Sequence, residues 1–74
     1  MPAPQTKQIE IVVNGQPRRI DQALNLIDLL RVLNVDPARV AVELNRSIVP
    51  RKDWDKAVVG DQAALEIVQF VGGG

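Results

Sequence analysis

The sequence predicts a small α+β domain, in which a mixed sheet of about five strands packs on one helix. Three observations lead to this prediction. The chain has 74 residues, which is room for one domain with one modest core. A single segment has the periodicity of an amphipathic helix, and short segments with strand-like alternation lie on both sides of it. Because the helix serves as a crossover, the first strand is expected to run parallel to the last.

The first strand pair is predicted from alternation and from a turn signal. Residues 9–13 carry an isoleucine or valine at every second position, as a half-buried strand does. Asn14 and Gly15 follow directly and suit the two positive φ values of a type I′ hairpin turn. Residues 16–20 should therefore return antiparallel, and Pro17, which has no N–H for a ladder, favours an edge position for this strand.

A helix is predicted over residues 26–34. Its leucines are spaced i, i+3, i+4, i+7 and form one apolar stripe. Asn25 is a favourable N-cap residue, and Asp28 puts a carboxylate in the first turn, where we assign it a structural role. Pro37 favours an end to the helix before Asp36. The stripe consists of Leu26, Leu29, Leu30 and Leu33.

The second half of the chain predicts three more strands. Residues 40–44 alternate like a half-buried strand, and the Asn-Arg pair at 45–46 has turn character before residues 47–49. Another turn at 60–61 precedes the last strand, 64–68. Together with the helix and the first strand pair, these strands have the architecture of a ubiquitin-like β-grasp.

Residues 50–54 interrupt the strand pattern and predict a short helical turn or a loop. We interpret Trp54 as closing one edge of the core. Stacking on a partner is the alternative, but no second aromatic residue lies nearby in the sequence. Arg51 and Lys52 are open to two interpretations, which are a partner contact and simple solvation of two neighbouring cations.

Composition excludes several classes of function. Nine Lys and Arg balance nine Asp and Glu, so the formal net charge is zero. The protein therefore has no overall positive charge to attract nucleic acid or an acidic membrane. The chain has no Cys and no His, which removes disulfides, thiol nucleophiles, imidazole catalysis and Cys/His zinc sites. No apolar stretch approaches the roughly 20 residues of a membrane span, and the N-terminal residues lack the apolar run of a signal peptide. We therefore expect a cytoplasmic protein that binds neither nucleic acid, membrane nor metal.

Residues 69–74 are expected to form a flexible tail on a single domain that spans residues 1–74. Six extended residues reach about 20 Å, far enough to enter the active site of another protein. The three glycines that end the sequence would make poor structure but a slender probe. A disordered end or an expression scar is the alternative, and the two apolar residues directly before the glycines argue against it.

Five residues of this tail are candidate site residues. Phe70 and Val71 are expected to anchor it on a partner, while Gly72 and Gly73 pass through a channel too narrow for a β-carbon. Gly74 offers its α-carboxylate, which is the group expected to react. A carboxylate becomes a good acyl donor once ATP converts it to an acyl-adenylate, and a sulfur nucleophile can then displace AMP to leave a thiocarboxylate. Phe70 could instead be a core residue at the strand end.

Three segments resemble the ThiS family of sulfur carrier proteins of thiamine biosynthesis. They are EIVQFVGGG at 66–74, VAVELN at 40–45 and IVPR at 48–51. The resemblance extends over roughly residues 9–74 and includes the length of the chain and the order of the segments. It departs from the family at 45–46, where Asn-Arg replaces the common Asn-Gly and should alter the turn. It also departs at 60–63, where the loop is less rich in turn residues.

The resemblance implies a sulfur carrier, which is a protein co-substrate and not an enzyme. By resemblance, an ATP-dependent adenylating enzyme related to the ubiquitin-activating class acts on Gly74. A sulfur-donating enzyme then supplies sulfur derived from cysteine, and thiazole synthase receives it. The cofactors belong to those partners, so this chain is expected to bind none. The alternatives are the small subunit of molybdopterin synthase, which also ends in Gly-Gly, a ubiquitin-like modifier of lysines, and an interaction module with an inert tail.

Overall fold

The computed structural model describes residues 8–70, which contain one α-helix, seven strands and two short 3-10 helices. The strands are β1 (Ile9–Val13), β2 (Gln16–Ile20), β3 (Leu24–Asn25), β4 (Val40–Leu44), β5 (Ser47–Ile48), β6 (Val58–Val59) and β7 (Ala64–Gln69). The helix α1 spans Leu26–Val32, and the 3-10 helices span Pro37–Arg39 and Arg51–Asp53. The predicted α+β class is confirmed.

Five strands form one mixed sheet in the order β2-β1-β7-β4-β5. The central strand, β7, is parallel to β1 and antiparallel to β4, and the β1–β2 and β4–β5 hairpins are antiparallel. The predicted mixed sheet, with its first strand parallel to its last, is therefore confirmed. β2 lies at an edge, as Pro17 predicts, and β5 forms the other edge. The antiparallel pair of β3 with β6 lies outside our prediction, because strands of two residues show no periodicity.

The core lies between α1 and one face of the five-stranded sheet. Three of the four helix leucines are fully buried and the fourth is partly buried, so the predicted stripe is confirmed. The predicted N-cap is confirmed as well, because Asn25 Oδ1 accepts the N–H of Asp28 at 2.8 Å. The buried core residues are Ile11, Val13, Ile20, Leu26, Leu29, Leu30, Val40, Val42, Trp54, Val59, Ala63 and Leu65.

The helix ends at Val32, earlier than the predicted Asn34, because Asn34 adopts the left-handed conformation with a φ of 60°. The N–H of Val35 donates to Leu30 O at 2.9 Å, and the N–H of Asn34 donates to Arg31 O at 3.0 Å. These paired bonds are those of a Schellman motif. An asparagine, and not the proline farther along the chain, therefore ends the helix.

Two hairpin turns have positive φ at both central residues, as a type I′ turn requires. At the β1–β2 turn, Asn14 and Gly15 have φ values of 50° and 80°, as predicted. At the β4–β5 turn, Asn45 and Arg46 have φ values of 51° and 71°. The expectation that Asn-Arg alters this turn is therefore wrong, because the backbone keeps the positive φ values of a type I′ turn. The arginine adopts a left-handed conformation that glycine adopts at lower cost.

Trp54 is buried at the edge of the core, as predicted, and its Nε1–H donates to Val49 O at 2.9 Å. The Arg51 guanidinium lies 4.7 Å from the centroid of the Trp54 ring. It also donates to the backbone oxygens of Pro37 at 2.6 Å and Val40 at 3.5 Å. Arg51 therefore has an internal structural role that neither sequence interpretation includes.

Candidate functional site

Of the five candidate site residues, Phe70 is the one that the structure describes. Val71, Gly72, Gly73 and Gly74 lie outside the described residues, so their roles stay predictions. The described part of the site is therefore the base of the tail. It comprises Gln69, which ends β7, and Phe70, which follows it.

The base of the tail is held by β4. Gln69 pairs with Val40 in the antiparallel ladder, and the N–H of Phe70 donates to Arg39 O at 2.8 Å. Gln69 is the last residue of β7 and not, as predicted, the first residue of the tail. Backbone pairing with β4 thus reaches Phe70 on one side of β7.

Phe70 is 56% exposed, so its interpretation as a core residue is wrong. Alternation along β7 places it on the same side of the sheet as Glu66 and Val68, on the face that does not pack against the helix. Anchoring on a partner stays a prediction. It is favoured because a large apolar side chain at this position lies in contact with water.

An apolar surface on the outer face of the sheet continues from Phe70. Val68 on β7 is 58% exposed, and Ile48 on β5 is 74% exposed. Together with Ala41 they line a shallow hollow of about 190 Å³. We refer to Ala41, Ile48, Val68 and Phe70 as the outer patch. Its clustering on neighbouring strands distinguishes it from a single exposed apolar side chain, which needs no explanation.

Two carboxylates border the outer patch. Glu43 on β4 and Glu66 on β7 are directly opposite each other in the ladder, and both line the hollow. Like charges in this position disfavour the strand pairing. The two ion pairs found in residues 8–70 join other side chains. The outer face therefore combines apolar side chains with negative charge, a surface that suits a partner carrying apolar and basic side chains.

The β1–β2 turn borders the other side of β7. The parallel β1–β7 pairs end at Val13 with Leu65, and the N–H of Asn14 then donates to Leu65 O at 2.9 Å. The Asn14 side chain continues the ladder, since Oδ1 accepts the N–H of Ile67 at 2.7 Å and Nδ2 donates to Ile67 O at 3.1 Å. Asn14 lies in the predicted turn, which is confirmed, but its contact across 53 positions has no signal in the sequence.

The described region gives no sign of a metal site. No group of three or more acidic side chains within residues 8–70 is arranged to hold a metal ion. The buried polar side-chain atoms of this region all have hydrogen-bond partners. Across the same stretch of chain, none of the helical structure is both long and apolar enough for a membrane span.

The fold and the site define a class of protein, namely a ubiquitin-like β-grasp domain whose central strand leads into a glycine-rich C-terminal segment. The chain matches the ThiS family over residues 11–74. It therefore belongs to the ThiS family, and the resemblance found in the sequence is confirmed.

Similar proteins include both small whole proteins and part of a longer one. The crystal structure of a thiamine biosynthesis protein (ThiS) from Geobacter metallireducens has a TM-score of 0.80 and 38% identity, and the match covers 89% of this chain and 100% of that one. The sulfur carrier protein ThiS of Escherichia coli is 29% identical over 89% of this chain and 100% of that protein. A thiazole synthase of Paramagnetospirillum magneticum is 41% identical over 89% of this chain, which spans only 20% of that protein's length.

Proposed function

We propose that this protein carries sulfur for thiazole formation in thiamine biosynthesis, as a protein co-substrate and not as an enzyme. The observation that carries the proposal is the match to the ThiS family, which extends through the glycines to residue 74. The similar proteins support both parts of the proposal. One is a sulfur carrier protein, which supports sulfur carriage, and another is a thiazole synthase, which supports thiazole formation as the destination.

The proposed chemistry begins at the α-carboxylate of Gly74, which is ionised at neutral pH. On an adenylating enzyme, one carboxylate oxygen attacks the α-phosphorus of ATP. The bond from that phosphorus to the bridging oxygen breaks, and pyrophosphate leaves with the electron pair. The product is an acyl-adenylate of Gly74. ATP is bound by the enzyme, and this chain contributes the attacking carboxylate.

Sulfur then enters at the activated carbonyl carbon. A sulfur-donating enzyme supplies sulfur at the oxidation level of hydrosulfide, which attacks the carbonyl while the bond to AMP breaks. AMP leaves with the electron pair, and Gly74 carries a thiocarboxylate without any net oxidation or reduction. Because glycine has no side chain, crowding at the attacked carbon is minimal. Thiazole synthase is the proposed acceptor of this sulfur.

The outer patch is the proposed docking surface for the adenylating enzyme. Phe70 belongs to this patch and, with Val71, anchors the base of the tail on the enzyme. Gly72 and Gly73 then lie in a channel too narrow for a β-carbon. The carboxylates that border the patch favour basic side chains on the partner, since opposite charges steer association and fix the orientation of docking.

Pyrophosphate exchange into ATP tests the role of Gly74. With the adenylating enzyme purified from the source organism, the wild-type chain should support exchange. A chain with one residue added after Gly74 should not, because the reactive carboxylate is then displaced. A chain with one residue added at the opposite end is the matched control and should behave like wild type. Exchange supported by an extended chain that mass spectrometry shows to be untrimmed would contradict the proposal.

Deletion of the gene tests the acceptor. The cell should then need thiazole or thiamine in its medium and should keep its molybdenum enzymes active. Normal growth without thiamine, together with loss of molybdoenzyme activity, would assign the chain to molybdopterin synthesis instead. Covalent ladders of the chain on cellular lysines would indicate a protein modifier.

A further inference from the structure

The side chain of Asn14 does more than a turn requires. A type I′ turn needs only a residue that tolerates positive φ, and the Asn14 backbone meets that need. Its amide group also bonds both backbone polar groups of Ile67, at 2.7 and 3.1 Å. Ile67 lies three residues before Phe70, close to the base of the tail.

We propose that Asn14 is a positioning residue, whose amide fixes the last part of β7 and thereby the point from which the tail leaves the domain. This inference rests on the proposed function of the tail. Asn14 itself touches no reacting atom. It acts through the backbone of Ile67, and its effect on activation is therefore indirect.

The register of the sheet explains why a side chain is needed at this place. In a parallel pair, alternate residues of a strand direct their N–H and C=O groups to the same neighbour. Leu65 accepts from the Asn14 backbone, so Ile67 is the next residue of β7 to face β1. The chain has by then turned away at Gly15. The Asn14 amide donates one N–H and accepts one bond, and so replaces the missing strand residue.

Ile67 is partly buried against the core, but the packing around it is incomplete. A hollow of about 200 Å³ lies beside the contact, and Asn14, Ile67 and Gln69 are among the residues that line it. Without the Asn14 amide, the backbone of β7 beyond Leu65 would be hydrogen-bonded on one side alone, to β4. Strand ends with few packed contacts and exposed hydrogen bonds open locally at low free energy.

Asn45 provides a matched control. It occupies the same position in the other hairpin turn and has nearly the same φ, 51° against 50°. Its Oδ1 accepts the N–H of Ala64 at 3.0 Å, which is the first residue of β7. The two asparagines thus bond the same strand, but Asn45 does so at the end away from the tail.

The test compares Asn14→Gly with Asn45→Gly in the full chain. Glycine adopts the left-handed conformation readily, so both turns should persist. Amide exchange measured by NMR should be about tenfold faster at Ile67 and Phe70 in Asn14→Gly, and unchanged there in Asn45→Gly. In pyrophosphate exchange with the adenylating enzyme, Asn14→Gly should raise KM roughly threefold to tenfold with little change in kcat, because the tail base is ordered on binding.

Asn14→Asp gives a second variant if Asn14→Gly does not fold. It tolerates the turn conformation and keeps an acceptor for the Ile67 N–H but loses the donor, so its exchange rates and KM should lie between those of wild type and the values expected for Asn14→Gly. Unchanged exchange at Ile67 and Phe70, or equal acceleration in Asn45→Gly, would overturn the inference. Faster exchange with an unchanged KM would overturn the positioning role. Failure of the proposed function would be distinct, because the wild-type chain would then be inactive too.

Discussion

On the inner face of β7, Leu65 is 2% exposed, whereas three residues farther along, on the outer face, Val68 is 58% exposed. Successive residues of a strand point to opposite faces, so this six-residue strand belongs both to the core and to the outer patch. Within one strand, the inward side chains therefore contribute to stability, and the outward side chains are available for the proposed partner binding. Substitutions on the two faces should therefore have separable effects, and the following predictions test that separation.

The largest effect is expected when the inner face loses a core side chain. Leu65→Ala removes a fully buried side chain and leaves a cavity among its neighbours, so it should lower the free energy of unfolding by about 2–5 kcal/mol. Denaturant unfolding followed by circular dichroism measures this loss. A change below about 0.5 kcal/mol, which is typical of surface positions, would remove the distinction between the faces.

The same substitution on both faces gives a more direct comparison. Val42 is 1% exposed on the inner face of β4. Val42→Thr buries a hydroxyl group without changing the shape of the side chain much, and should cost about 1–3 kcal/mol of stability. Val68→Thr keeps its hydroxyl in water and should stay within about 0.5 kcal/mol of wild type. Equal losses in the two proteins would contradict the assignment of the faces.

Substitutions on the outer face should weaken partner binding and leave the free energy of unfolding nearly unchanged. Phe70→Ala removes the largest apolar side chain of the outer patch, and should weaken binding to the adenylating enzyme about tenfold, as expected of an aromatic anchor. Its free energy of unfolding should change by less than about 0.5 kcal/mol. Calorimetric titration and thermal unfolding measure the two quantities. A clearly destabilised protein that is activated normally would count against the anchor.

A substitution in the β4–β5 turn, which lies on neither face of the sheet, should affect stability through the backbone alone. Arg46→Gly replaces a residue with a φ of 71° by one without a β-carbon, and should raise the free energy of unfolding by about 0.5–1 kcal/mol. Activation should be unaffected. Arg46→Ala is the control, since alanine retains the unfavourable conformation. An equal gain in both variants would show that the backbone conformation is not its source.

Much of the fold could be predicted because its signals are local. The leucine stripe, the N-cap at Asn25 and the Asn14-Gly15 turn each depend on residues close together in sequence, and each is confirmed. Asn34 offered a similar local signal, since asparagine tolerates the left-handed conformation at a helix end. The predicted end relies on the proline farther along, whereas the helix ends at Val32, two residues earlier than predicted.

The missed contacts depend on the register of distant segments. The bonds of Asn14 to Ile67 form only once β1 and β7 are paired with a particular alignment, which spacing in the sequence does not specify. Arg51 likewise meets the oxygens of Pro37 and Val40 only after the chain has folded back. In the candidate site, the predicted strand ends at residue 68, so its alternation does not extend to Phe70. The observed β7 extends to Gln69, and continued alternation places Phe70 on the outer face. The enzymes expected to act on the glycines follow from the family resemblance alone.

The two edges of the sheet bear on how the protein behaves at high concentration. An unpaired strand edge is a template for intermolecular pairing, and it can seed aggregation when it is long and apolar. Here one edge, β2, carries Pro17 and two arginines, and the other, β5, has only two residues. Neither offers a long, uninterrupted ladder to a second copy, because Pro17 interrupts β2 and β5 is short. A protein with an exposed apolar patch can therefore stay dispersed, because the backbone hydrogen bonds that would convert a transient encounter into a growing fibril have few places to form.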